Sequence, residues 1–151
     1  MYIVNFLLVF IFILSGYSFS QELTLPVNGV VKYYTDKEAV APLQIITKSS
    51  NEHYYVKLVN SVNDEFIMSI FIRANYKVMV DVPLGSYYIK YATGNKWYGE
   101  EKLFGDSTDY YKADYIFDFK LVDNHYTGYT IELFLQDRGN LKTEEISRAE
   151  F

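Results

Sequence analysis

Tyr76-Lys77-Val78-Met79-Val80-Asp81-Val82-Pro83-Leu84-Gly85-Ser86-Tyr87-Tyr88-Ile89 is the stretch that decides the fold. Tyr76, Val78, Val80 and Val82 alternate with Lys77, Met79 and Asp81. A repeat of two sends the first set to one face of an extended chain and the second set to the other. Valine and tyrosine also suit a pleated, half-buried surface. Pro83-Leu84-Gly85 then stops the strand, because proline fixes φ and lacks an N–H while glycine turns freely. Tyr87 to Ala92 restarts it.

The same rhythm extends outward in both directions. Toward the N-terminus lie Leu43 to Thr47, Tyr54 to Val59 and Phe66 to Ile72, separated by Lys48-Ser49-Ser50-Asn51 and by Asn60 to Asp64. Phe66 to Ile72 is almost wholly apolar, as a strand buried on both faces requires. Ala41-Pro42 opens the first of these segments, and proline suits an edge strand. Glu22 to Val40 reads as an extended lead-in with a short strand at Val30 to Tyr34. Toward the C-terminus, Tyr115 to Leu121 and Tyr129 to Leu135 alternate again. Short strands separated by turn signals every 8 to 12 residues predict an all-β antiparallel sandwich of about seven to eight strands. Residues 41–151 form its single domain. Helical spacing is missing from this region. Ser147 and Glu150 stand in a capping-box arrangement with room for one turn at most, and Ile146 and Phe151 are expected to pack.

Composition narrows the function classes. The chain has 151 residues, with 16 Tyr, 11 Phe and one Trp, and a formal charge of −5. That charge, with no run of Lys or Arg, argues against a nucleic-acid partner. There is no cysteine. Disulfides, zinc thiolates, thiol nucleophiles and acyl-cysteine anchors are therefore excluded.

Tyr2 to Leu14 is apolar apart from Asn5 and the Tyr2 hydroxyl, and Ser18-Phe19-Ser20 sets small residues where a signal peptidase reads. Residues 1–20 are expected to be a signal peptide cleaved after Ser20. The alternative is a retained anchor over residues 2–19, barely long enough to span a bilayer. No Lys or Arg precedes the apolar run, which weakens the signal pattern. Either way residues 21–151 are expected outside the cytoplasm, periplasmic or secreted, with the membrane involved only through an uncleaved N-terminal segment.

Val80-Asp81-Val82-Pro83-Leu84-Gly85-Ser86-Tyr87-Tyr88-Ile89 resembles a motif of carboxypeptidase-regulatory-like and transthyretin-like β-sandwiches, in which a strand ends in a Pro-x-Gly turn and restarts at Tyr. The resemblance covers about ten residues. It implies an Ig-like or transthyretin-like outline and an accessory binding or scaffold role. Tyr91-Ala92-Thr93-Gly94, Trp97-Tyr98-Gly99, Leu103-Phe104-Gly105 and Lys112-Ala113-Asp114 together resemble a family of uncharacterised bacterial exported or envelope β-domains. That resemblance transfers no active site.

The best candidate for contact with a partner is the segment from Gly94 to Asp114, read as a long loop. It holds three glycines, the only tryptophan and the acids Glu100, Glu101, Asp106, Asp109 and Asp114. Long loops in small domains are often functional. The residues expected to bind are Trp97, Tyr98, Glu100, Glu101, Phe104, Asp109 and Tyr110. An aromatic such as Trp97 can stack on a sugar or fill a partner's pocket. The plainer alternative has Trp97, Tyr98, Leu103 and Phe104 folding inward to cap one end of the sandwich.

The acids do not follow the spacing of a calcium loop, so no metal or other cofactor is expected. His53 and His125 stand isolated beside turns and read as ordinary surface residues. No G-x-S-x-G elbow or phosphate-cradling glycine loop is present, and the adjacent acids Glu100-Glu101 and Glu144-Glu145 are not a catalytic geometry, since glycoside hydrolysis needs a defined gap across a cleft. The doublets Tyr33-Tyr34, Tyr54-Tyr55, Tyr87-Tyr88 and Tyr110-Tyr111 place one ring on each face of a strand, chiefly for cross-strand packing.

The leading expectation is thus a non-catalytic extracytoplasmic binding or assembly module with a protein partner, or else a glycan. A strand-accepting edge near Leu43 to Thr47 is a further expectation. The second reading is a periplasmic inhibitor or immunity-type protein using an acidic loop. The third is a small enzyme acting on envelope glycans.

Overall fold

The computed structural model describes residues 21–48, 51–134 and 140–151. The expected signal segment and the end of the Tyr129 to Leu135 strand lie outside the described residues. The described chain is all-β. Its strands are β1 (Val30–Tyr33), β2 (Ala39–Lys48), β3 (His53–Asn60), β4 (Phe66–Ile72), β5 (Lys77–Pro83), β6 (Gly85–Gly94), β7 (Asp109–Ala113), β8 (Phe117–Phe119), β9 (Leu121–Val122), β10 (His125–Tyr126), β11 (Tyr129–Phe134) and β12 (Thr143–Glu145).

These are twelve strands, which corrects the expected seven or eight. The additional ones are short. β7 lies inside the segment read as a loop, so that loop ends at Thr108. β9 and β10 are two-residue strands around Asp123 and Asn124, both at positive φ (48° and 61°) as a tight hairpin turn requires.

β1-β4-β3-β6-β7-β12 form one large sheet, with β8 pairing the start of β6, and β11-β2-β5 form a small one. Alternation along the strands builds the core between them. Leu43 and Ile45 of β2, Tyr54, Val56 and Leu58 of β3, Met68, Ile70 and Ile72 of β4 and Tyr87 and Ile89 of β6 are all fully buried. The Pro83–Gly85 turn joins the two sheets. Beyond it Tyr87 enters the core, with its hydroxyl donating to the Leu84 carbonyl at 3.0 Å.

The small sheet departs from expectation in two related ways. β11 pairs with β2 in parallel, from Tyr129–Leu43 to Phe134–Lys48, although every other pairing is antiparallel. Its alternation places Ile131 and Leu133 beside Ile45 and Thr47 in the core. β2 is consequently a central strand, so Leu43 to Thr47 has no free edge for a partner strand. Pro42 is tolerated because it precedes the first β2–β11 pair. There the chain passes so close that a Cβ on Gly128 would lie 2.8 Å from the Pro42 carbonyl oxygen.

The large sheet is buried on its other side too. Tyr55, Phe71, Ala92, Trp97, Leu103 and Phe104 form a second cluster there, joined by Leu25, Tyr110 and Phe151. This explains the unbroken apolar run of β4, whose residues after Phe66 are all buried. The lead-in supplies part of the cover. The Arg73 guanidinium donates to the carbonyls of Pro26 (3.1 Å) and Leu25 (3.3 Å), and the Arg73 N–H donates to the Asn28 side chain at 2.9 Å.

Candidate functional site

The outer face of the large sheet carries the candidate site. Its middle strands present small residues where the cover must fit: Ala92 and Gly94 follow one another on that face of β6. The segment after Gly94 turns back over them. The Tyr98 N–H donates to the Leu103 carbonyl (2.8 Å) and the Leu103 N–H to Gly99 (2.6 Å). A single 310 turn at Gly105–Ser107 closes the segment, held by Thr108, whose hydroxyl accepts from the Phe104 N–H (3.1 Å) and donates to the Gly105 carbonyl (2.6 Å). The Leu23 N–H adds a bridge to the Trp97 carbonyl at 2.7 Å.

Trp97 is held by three rings, with centroids at 5.0 Å (Phe71, edge-on), 5.5 Å (Phe104, edge-on) and 5.8 Å (Tyr55). Such aromatic pairs contribute about 0.5–1.5 kcal/mol each beyond their area. Trp97 is 5% exposed and Phe104 1%. They form a second core on the outer face of the sheet and do not cap an end of the sandwich.

Between this layer and the lead-in lies a groove of 360 Å³. Tyr55, Phe71 and Trp97 form its floor with Ser69, and Pro26, Val30, Gly99 and an ion pair between Lys32 and Glu100 form its rim. Hydrogen bonding to Glu100, then its charge, raises the Lys32 pKa. Burial raises that of Tyr55, with the nearby Glu100 charge adding, so the floor keeps a neutral phenol.

The other expected residues are dispersed. Tyr98 is half-buried beside Gly105. Glu101 is exposed, and its carbonyl accepts from Arg148 at 3.0 Å. Asp109 is exposed at the start of β7, and Tyr110 packs on the ring of Phe151 with centroids 5.1 Å apart. The groove thus unites Trp97 and Glu100. Phe104 lies in the buried layer, Glu100 pairs with Lys32 on the rim, and Glu101 and Asp109 are exposed outside the groove. Among the described residues no group of three or more His, Asp or Glu is placed to hold a metal.

His53 has a structural role. Its Nδ1 accepts the Ala74 N–H at 3.1 Å, which requires that nitrogen unprotonated. Burial first and the Arg73 charge second hold its pKa below the usual 6.5. In the unfolded chain the imidazole protonates near that usual value, before the folded one does. His53 therefore contributes stability above about pH 6.5 that declines as pH falls toward the depressed folded value. Urea unfolding between about pH 7 and pH 5 should show this slope, and His53→Gln should flatten it; equal slopes would refute the assignment.

One feature escapes a linear reading. The register Lys32–Ser69–Lys57–Lys90–Lys112 runs straight across β1, β4, β3, β6 and β7 on this outer face. An acidic chain thus gathers four lysines, far apart in sequence, into one row. The only signal for it was that each occupies the outward phase of its strand, which is visible once the pairings are known.

Comparison of the chain with protein-family models, with curated proteins and with solved structures gave no match.

Proposed function

We propose that the chain is a non-catalytic extracytoplasmic binding or assembly module that grips a protein partner through the outer face of its large sheet. The observation that carries this reading is the groove: a preformed concavity with an aromatic floor, one neutral phenol and a charged rim, the usual composition of a recognition site. A protein side chain suits it better than a sugar. With Trp97 only 5% exposed, no open indole face is left for a sugar ring to stack on. The apolar run before Ser18-Phe19-Ser20 supports a periplasmic or secreted location. In the same reading the sandwich has an Ig-like or transthyretin-like outline, which the Pro83–Gly85 turn and the return of Tyr87 to the core support.

A photo-crosslinking residue placed at Val30, on the rim, tests the reading in the cells that make the protein. Discrete adducts are expected from Val30 and not from Thr130, exposed on the far face of the small sheet. Paired Lys32→Ala and Glu100→Ala changes should weaken the Val30 adduct. No Val30 adduct, or the same adduct from Thr130, would overturn the proposal.

A further inference from the structure

The wall of the groove is movable in principle, and one residue decides whether it moves. Arg73, just past β4, fastens the lead-in at three points: the carbonyls of Leu25 and Pro26 and the side chain of Asn28. The backbone after Arg73 is clamped in turn from β3, because the Ala74 N–H donates to His53 Nδ1 at 3.1 Å. The floor behind this wall is nearly closed: Tyr55, Phe71 and Trp97 are each no more than 5% exposed. A bulky partner side chain reaches those rings only when Pro26 swings out. His53 pairs with Gly94 of β6, and its ring centre lies 6.1 Å from that of Phe71. The charge that acts on it is Arg73. The covering segment meets Gly94 with the neutral ring of Phe104. Glu22 of the lead-in and Lys96 after β6 pair with each other at 3.0 Å, and Glu52, which precedes His53, acts on Tyr54 and Tyr111 of the inner face.

We propose that His53 is an acid-operated latch on the groove: a proton on Nδ1 releases the Ala74 amide, sets a second cation beside Arg73 and lets the lead-in swing away from Tyr55, Phe71 and Trp97. Nδ1 cannot accept the Ala74 N–H and carry a proton at once, since both nitrogens of an imidazolium are donors. The ring must turn away or push the amide off. Its new charge then repels the guanidinium that grips Leu25 and Pro26. Burial and the Arg73 charge hold the His53 pKa below its usual 6.5. The latch is therefore shut at neutral pH and lets go as pH falls below about 6.5 toward the depressed folded value. Outside the cytoplasm this ties access to the groove to the acidity of the surroundings. The consequence rests on the groove being the partner site; the latch itself is a property of the lead-in and is read without any partner.

The test is amide hydrogen exchange on the full chain, corrected for the pH dependence of the intrinsic rate. The Leu23, Arg73 and Ala74 amides should exchange by local opening, at rates that urea below the unfolding transition does not change. Val56 and Leu58, on the central strand β3, should instead follow the urea dependence of global unfolding. Between about pH 7 and pH 5 the protection of the three latch amides should fall about tenfold, as expected of a histidine that takes its proton near 6.5 when open and later when latched. His53→Gln keeps an acceptor but binds no proton, so it should hold their protection constant over that range. Latch amides that share the urea dependence of Val56 and Leu58 would overturn the proposal. So would protection that ignores pH in wild type, or a fall that persists in His53→Gln.

Should His53→Gln not fold, the wild-type chain decides. The carbon-bound ring protons of His53 report its titration by NMR and so give the folded pKa. Protection of the latch amides must then decline from about pH 6.5 and level off once that pKa is passed. A decline displaced from this window refutes the latch. The two readings fail separately: a latch that opens with no Val30 adduct stands without its groove function, and a Val30 adduct with no latch leaves the groove ungated.

Discussion

Phe104→Ala is expected to lower the free energy of unfolding by about 3–5 kcal/mol, the range for removing a fully buried phenylalanine. The ring is 1% exposed and packs against Trp97 (5.5 Å) and Phe71 (6.3 Å). Its loss opens a void under the segment that covers the sheet. The surroundings have little room to collapse into it, since the Thr108 and Gly99 hydrogen bonds fix the backbone on both sides. Urea unfolding followed by Trp97 emission, which reports the outer layer, and by far-UV circular dichroism, which reports the sheets, measures the effect. Coincident transitions displaced together would show that the outer layer and the inner core unfold as one unit. A Trp97 transition preceding the other would make the layer a separately melting cover. A loss below about 1 kcal/mol by either probe would contradict a second core.

That second core marks the boundary of what the sequence discloses. Strands with clean alternation were legible, because one buried face imposes a period of two on the residues themselves. Tyr76 to Val82 and Tyr87 to Ala92 both coincide with strands of the structure. The all-apolar run at β4 also announced burial on both faces, though not what supplies the second cover. β7 was hidden because Asp109, Tyr110 and Tyr111 lack alternation and follow a glycine-rich turn. β12 was hidden because three polar residues, Thr143, Glu144 and Glu145, pair only as an edge. The parallel placement of β11 was illegible for another reason: Tyr129 to Phe134 alternates the same way whichever neighbour it joins. Pro42 pointed to an edge strand, and Gly128 makes the central position possible. At the site, Trp97 and Glu100 stood out by type and position, but the lysine row depends on the register of five strands and has no local signature.

Gly94→Ala carries the second large effect, and its sign is the informative part. A glycine with ordinary backbone angles in a strand usually gains about 0.4–1 kcal/mol on becoming alanine, because the unfolded chain loses freedom. Here a Cβ would stand 2.3 Å from the Phe104 Cβ and 2.6 Å from its Cγ. The nearest atom is fixed to the backbone, so no rotamer change relieves it and the covering segment must lift. A destabilisation of about 1–3 kcal/mol is expected, the cost typical of overpacking. The cycle that proves the cause follows from the same distances. Phe104→Ala retains the Cβ, so Gly94→Ala remains harmful in that background. Phe104→Gly removes both contacting atoms, so adding Gly94→Ala there should be neutral or stabilising. The two cycles should therefore differ in coupling energy by at least about 1 kcal/mol, well outside the additivity of independent sites. If Gly94→Ala costs the same in all three backgrounds, the close approach does not set the packing, and the placement of Trp97 over β6 loses its physical reason.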